Sequence, residues 1–430
     1  MRHVWIVIAV SCLYPFASPA EDTTELLNRM KAMEDKIKAL ETEVQELKGQ
    51  QSALTAAVTA ASPPPAAAPQ PVTPQIATAA PQAAPGALTA PEMPAGPLPV
   101  YGGASASASK VFNPDISVIG DFLGGFGNGS PRSTPALEMH ESEVGFQAII
   151  DPYARADFFL SFGEEGVVLE EGYLTFPALP GGFQMKVGKM RAAFGKVNTL
   201  HNHVLPWTDR PLVTQNLVGG EDGIDDAGLS FSRIIPAPNN IFLEGIAQIF
   251  RGDSTTVYHA FERSDVSTVG HVHGYKDISE STNIDLGFSY TRGHSPVAEP
   301  LINQLYDIDA TVRWKPLRRS IYHSFLSRFE YIWDRADQPN HIITTPSGFY
   351  ISADYQFARR WFLGGRFDRS GRFDNAALHD TGGSLIVTYW PSEFSQIRGQ
   401  LRRTSYAERT ADEFLFQFQF SMGAHGAHPF

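Results

Sequence analysis

The chain has 430 residues, with 46 acidic side chains against 34 basic ones and a formal charge of -12, so it offers no basic stripe to neutralise the phosphates of a nucleic acid. Its one cysteine, Cys12, lies near the start, which leaves the rest of the chain without a disulfide or a thiolate metal site. After that leader no apolar run is long enough for a membrane helix, and the mean hydropathy is slightly negative, which excludes a helical membrane protein but suits strands that are apolar on one face only.

Cationic Met1-Arg2-His3 is followed by an apolar run from Val4 to Leu13 and by Ala17-Ser18-Pro19-Ala20. Small residues stand where a signal peptidase inspects the chain before Glu21, so residues 1–20 read as a signal peptide. A lipid-anchoring site at Cys12 is the weaker reading. Ala9-Val10-Ser11-Cys12 lacks the usual leucine and would leave Leu13-Tyr14-Pro15-Phe16 behind it,.

Residues 21–54 carry apolar positions stepping by four and three: Leu26, Met30, Met33, Ile37, Leu40, Val44, Leu47, Gln51 and Leu54. This is a heptad pattern, with Met30, Ile37, Val44 and Gln51 at a, and Met33, Leu40 and Leu47 at d. A parallel partner would set Lys36 opposite Glu41 and Glu43 opposite Lys48, both attractive, so an α-helical coiled coil is expected. A lone amphipathic helix is the alternative. Oligomer order is read as a homotrimer from the pore argument below, although β-branched a positions with leucine at d favour a dimer.

Residues 55–109 are dominated by Ala and Pro, as in Ser62-Pro63-Pro64-Pro65-Ala66, and cannot bury a core, so a disordered linker is expected. Extended, such a linker would reach on the order of 150 Å. It could tether an outer membrane to peptidoglycan through the coiled coil, or serve as an inert spacer.

Residues 110–430 alternate apolar and polar side chains between repeated turn signals. The signals are Asp151-Pro152, Pro177 to Gly182, Pro236 to Asn240, Asp277 to Thr282, Pro316 to Arg319, Ala358 to Arg360, and Pro391,. Seven tight turns and eight longer loops make an all-β transmembrane barrel of about 16 antiparallel strands. Alternation is cleanest in 284–291, 306–314 and 349–357, and the last strand sets Phe414, Phe416, Phe418 and Phe420 on one face,. Trp314, Trp361, Tyr389 and Trp390 flank short turns, where an aromatic girdle would sit. The terminal aromatic, Phe430, is the expected barrel signal.

With the apolar side outward, Arg155, Asp157, Glu171, Lys186, Glu244, Asp307, Asp309, Arg313, Arg328, Glu330, Asp354, Arg366, Asp368, Arg398 and Arg402 face inward. So many charges require water or partners. The stretch from Phe194 to Ala227 shows no clear strand and is expected to fold inward and narrow a pore. Its acids Glu221, Asp222, Asp225 and Asp226 are expected to oppose Arg313, Arg328, Arg366, Arg398 and Arg402 across the opening. Lys186, Lys189 and Arg191 complete the expected pore lining. The pairs His201/His203 and His271/His273 suggest a shared metal only weakly, because no third ligand can be picked out, and no metal or cofactor is assigned.

Met185-Lys186-Val187-Gly188-Lys189-Met190-Arg191-Ala192-Ala193-Phe194-Gly195 resembles the strand-to-loop element of the phosphate-selective porin O and P type family, and the order of coiled coil, Pro-rich spacer and barrel resembles the wider group of outer-membrane porins. That resemblance implies a trimeric sixteen-strand pore, with one loop folded inward, passing small hydrophilic solutes or ions by passive diffusion across a Gram-negative-type outer membrane. The chain departs from the phosphate-selective members in having only Lys276 and Lys315 beyond Lys196, which speaks for a general pore. No Gly-rich phosphate loop, zincin helix or nucleophile elbow points to an enzyme.

Overall fold

The computed structural model describes residue 31 and residues 114–423, apart from 129–135, 164–165, 255–256, 298–300, 340–341, 374, 376 and 408. The chain divides into two units, Met1–Thr89 and Ala90–Phe430. In the first only Lys31, helical, is described. The signal peptide, the heptad residues Met30, Met33, Ile37, Leu40, Val44 and Leu47, the linker and Phe430 all lie outside the described residues.

The second unit is one sheet closed on itself. Its strands are β1 Asp115–Asn128, β2 Leu137–Asp151, β3 Ala154–Gly163, β4 Gly166–Leu179, β5 Phe183–Arg191, β6 Asp225–Ile234, β7 Phe242–Phe250, β8 Ser267–Ser279, β9 Thr282–His294, β10 Ile302–Trp314, β11 Ser324–Gln338, β12 Ile342–Thr344, β13 Ser347–Ala358, β14 Trp361–Gly371, β15 His379–Ser392, β16 Ser395–Ser405 and β17 Thr410–Gly423. Every pairing is antiparallel, and β1 closes the ring by pairing with β17 from Ser117↔Gly423 to Asn128↔Asp412. β12 is a three-residue strand that pairs only with the far end of β11, so the barrel wall has sixteen strands among the described residues. Closure leaves no edge and satisfies the backbone within the sheet, which a membrane demands. No helix of the described residues is long and apolar enough to cross a membrane, which says nothing of strands.

Turns fall where Pro, Asp and Gly punctuate the chain, and each of the seven expected tight turns joins successive strands at one end. The alternation in β9, β10 and β13 is inside-out relative to a soluble sheet. Leu286, Phe288, Ile308, Ile351 and Phe357 are exposed, while Asp285, Ser289, Asp307, Asp309, Ser352 and Gln356 are buried. A one-residue slip would invert every such pair, so the pattern fixes register.

The closing seam shows the same division. On its outer side Phe126 and Phe416 stack with centroids 6.0 Å apart. Gly124 lies beneath that ring, and a Cβ there would run into Phe416. On its inner side Gln417 Nε2 donates to Asp121 Oδ1 at 2.9 Å.

Two outward aromatic bands mark the ends of the wall. Trp361 and Tyr389 stack at 4.4 Å beside the short turns. Near the other end Tyr306 lies 5.0 Å from Tyr290 and 5.2 Å from Trp333. Tyr306 and Trp314 are eight residues apart on β10, about 26 Å of strand, or about 20 Å of height at the usual tilt of barrel strands, which is most of a lipid-facing band.

Candidate functional site: an inward loop clamped to a polar wall

The connection from β5 to β6, residues 192–224, is folded against the inner face of the wall. Its neck is closed by one side chain that sequence reasoning did not single out: Asn198 Nδ2 donates to Ala192 O and Ile224 O, and Ile224 N donates to Asn198 Oδ1. Arg210 ties the first half to itself, donating to Val197 O, Leu200 O and Asn202 Oδ1. Burial pushes its pKa down to about 10, with the neighbouring charge of Arg191 adding to the effect. Phe194, Val197, Leu205, Trp207, Val213, Leu217 and Ile224 are buried in the loop's own apolar cluster, which also takes in Tyr350, Ile332 and Leu305 of the wall.

From this scaffold the loop reaches several sectors of the wall. Close to its start, Ala193 N donates to Gln248 Oε1 and Gly195 N to Ser289 Oγ, and Lys196 Nζ meets Asp285 at 2.8 Å. Gly195 has φ 58°, and a Cβ there would run into the Glu330 carboxylate. A left-handed backbone pressed against Glu330 leaves room only for glycine.

Further along, Asp209 faces β14 and β16. Its carboxylate pairs with Arg366 at 2.9 Å and Arg402 at 2.6 Å, and Oδ1 accepts from Gln400 Nε2. Arg366 also donates to Asp209 O and lies 5.0 Å over the Trp207 ring. Arg398 donates to Trp207 O and to Gln417 Oε1. Burial opposes ionisation of Asp209, but the charges of Arg366 and Arg402 outweigh it and hold the carboxyl below the usual carboxylate range,.

A third sector, on β2 and β4, receives His201 and His203. His201 Nδ1 lies 2.6 Å from Glu143 Oε2 and 3.1 Å from Glu170, and its Nε2 lies 2.8 Å from Glu171 Oε2. A register shift opposite Phe159 and Leu160 makes Glu170 an extra residue in β4, and this bulge lets two consecutive carboxylates serve one imidazole. Burial lowers the pKa of both histidines, but the Glu143 charge more than reverses this and leaves both raised, helped at His201 by its hydrogen bonds to the glutamates and at His203 by the nearby Glu141.

The expected site residues are thus distributed differently from the sequence reading. The expected loop ran to Ala227, but β6 starts at Asp225 and pairs it with Arg191, because the acidic Asp225-Asp226 pair hides a strand start. Arg366 and Arg402 pair with a loop acid other than the expected Glu221 and Asp222. The loop acid that meets Arg366 and Arg402 is Asp209, while Arg191 donates to the backbone carbonyls of Glu221 and Asp222 and Glu221 Oε2 lies 3.4 Å from His140. Lys189 and Asp225 pair at 2.9 Å on the outward-facing alternation, in step with the exposed Leu229 and opposite to buried Met190 and Asp226,. Asp226 accepts from Gly252 N and Asp253 N and so fixes the next loop. Lys186 lies 4.5 Å over the Tyr173 ring, Arg328 pairs with Asp354 at 3.1 Å, and Arg313 is half-buried at the turn end of β10.

No family model matches the chain, so the resemblance to the phosphate-selective porins rests on residues 185–195 and the layout alone. An uncharacterized protein of Aquifex aeolicus (strain VF5) is 27% identical over 390 residues, which cover 76% of this chain and 82% of that protein. Two solved structures share the barrel at 10% sequence identity. The anion-selective porin from Comamonas acidovorans has a TM-score of 0.53, with 72% of this chain and 99% of that chain covered. Pseudomonas putida OprB, in a high-pH structure, has a TM-score of 0.51, with 73% and 95% covered. The likeness is one of fold: the chain has the closed antiparallel barrel of outer-membrane porins.

Proposed function

We propose that the protein is an outer-membrane porin through which small hydrophilic solutes or ions diffuse passively, with loop 192–224 setting the aperture. The observation that carries this reading is the loop itself, laid across the inner face and fastened to β2, β4, β9, β14 and β16 by charged groups. A barrel interior lined by Arg155, Asp157, Lys186, Glu244, Arg328 and Asp354 is stable only when wet or internally paired. Arg366, Arg398 and Arg402 act in this reading as clamps, since their charge is spent on the loop and on Asp368, Gln417 and Glu413. Selectivity then falls to the half-exposed charges at the turn end, and mixed signs there make the pore a general one. The fold it shares with an anion-selective porin and OprB supports the channel reading; assembly as a homotrimer through residues 21–54 belongs to the same proposal.

Swelling of proteoliposomes in uncharged sugars of increasing size tests it. Fast swelling with small sugars and a steep fall with size is expected. A folded, heat-modifiable barrel that gives no swelling with any sugar would refute it.

A further inference from the structure

The His201/His203 sector has donors that the diffusion reading does not use. His203 is buried, and its Nδ1 has no hydrogen-bond partner among the described residues. It points toward Glu143 Oε2 at 3.6 Å and Glu141 Oε1 at 3.9 Å, beyond hydrogen-bonding reach. Glu141 Oε1 is likewise buried and unpartnered among the described residues. An orphaned imidazole nitrogen facing the orphaned Glu141 oxygen is costly unless something sits between them,.

Donor atoms of Glu143, His201 and His203 all lie within 4.8 Å of one another, as do those of Glu141, Glu143 and Glu170. Metal–ligand bonds of about 2.0–2.1 Å set tetrahedral donors about 3.3 Å apart, so small side-chain rotations would bring these atoms around one ion. The second coordination layer is already built. His201 Nε2 lies 2.8 Å from Glu171 Oε2, and Glu171 Oε1 accepts from Arg191 N. A carboxylate on the far nitrogen is how a ligating imidazole is usually oriented, and here it turns Nδ1 toward Glu143.

We propose that His201, His203 and Glu143, with Glu141 or Glu170 as the fourth ligand, form a site for a divalent transition cation such as Zn2+. Two imidazole nitrogens select that class over Ca2+ or Mg2+, which take oxygen ligands. Because the histidines belong to the loop and the glutamates to β2 and β4, the ion fastens the loop to the wall. The site is independent of what crosses the barrel.

Cobalt spectroscopy tests the site on the full-length protein, refolded in detergent and stripped with EDTA. One equivalent of Co2+ is expected to give an intense visible band of tetrahedral coordination, bleached by one equivalent of Zn2+. The band should survive replacement of His271, His273, His425 and His428 by glutamine, and affinity should fall at least about 100-fold in His203→Gln and in Glu143→Gln. Absence of the band, or a band undiminished in His203→Gln, would overturn the site. If neither ligand variant folds, the protein lacking His271, His273, His425 and His428 decides: loss of its band would assign the metal to those residues instead.

Discussion

Two of the attachments that hold loop 192–224 to the wall have the charges exchanged. At Asp209 the loop supplies the acid and the wall supplies Arg366 and Arg402; at His201 and His203 the loop supplies imidazoles and the wall supplies Glu143, Glu170 and Glu171. Guanidinium groups keep their charge at any working pH, so the first attachment is permanent. The second needs a cation between imidazole and carboxylate, whether a proton or a metal ion. A loop fastened in this way combines a fixed anchor with an exchangeable one.

Removing the fixed anchor is expected to have the largest effect. Asp209→Asn keeps the shape but leaves the buried Arg366 and Arg402 with Asp368 and Glu413 alone, at a cost of about 3 kcal/mol, measurable as a lower urea midpoint for the loop's fluorescence transition. Asn198→Ala comes next, because it strips the neck of three hydrogen bonds to Ala192 and Ile224. Ala192 O and Ile224 O keep Phe194 N and Ala192 N as donors, so about 1–2 kcal/mol is expected, chiefly from Ile224 N losing its acceptor, read as faster hydrogen exchange at residues 192–198 than in β10.

Acid should not release the fixed anchor until low pH. The Asp209 carboxyl is depressed in the folded state by Arg366 and Arg402, so its stabilisation is complete above the unfolded value of about 3.9 and is lost only as pH falls through the lower folded value. Conductance at pH 7 and at pH 4.5 is therefore expected to show the same loop-closed level, and an acid transition near pH 5 would contradict the Asp209 assignment. The smallest effect is expected from Glu221→Gln. That side chain is 61% exposed with His140 as its ionic neighbour, and its loss should change stability by no more than about 0.5 kcal/mol.

The wall was legible in the sequence because its signals are local. Asp151-Pro152 or Pro391 marks a turn by itself, and Ile308 between Asp307 and Asp309 declares its face by spacing alone. The loop was legible as a loop, and its inward course could be expected from its length, but its fastenings could not be read. Asp209 and Arg366 are 157 positions apart, and whether they meet depends on the register of every strand between them. The reading therefore matched the arginines with the acids most conspicuous in a row, Glu221 to Asp226, and passed over the single Asp209. Asn198 left no signal because its three bonds are to backbone groups. The glutamates that receive His201 came from strands β2 and β4, whose bulge at Glu170 breaks the two-residue alternation on which the face assignment relied,.

Single-channel conductance in planar bilayers, compared between the wild-type protein and Asp209→Asn, bears most directly on the loop as the element that sets a water-filled aperture. Stable steps are expected for the wild type, with larger and noisier steps and passage of larger sugars once the Arg366 and Arg402 partner is gone. A silent wild-type barrel, or a variant with unchanged conductance and size cut-off despite a released loop, would contradict it.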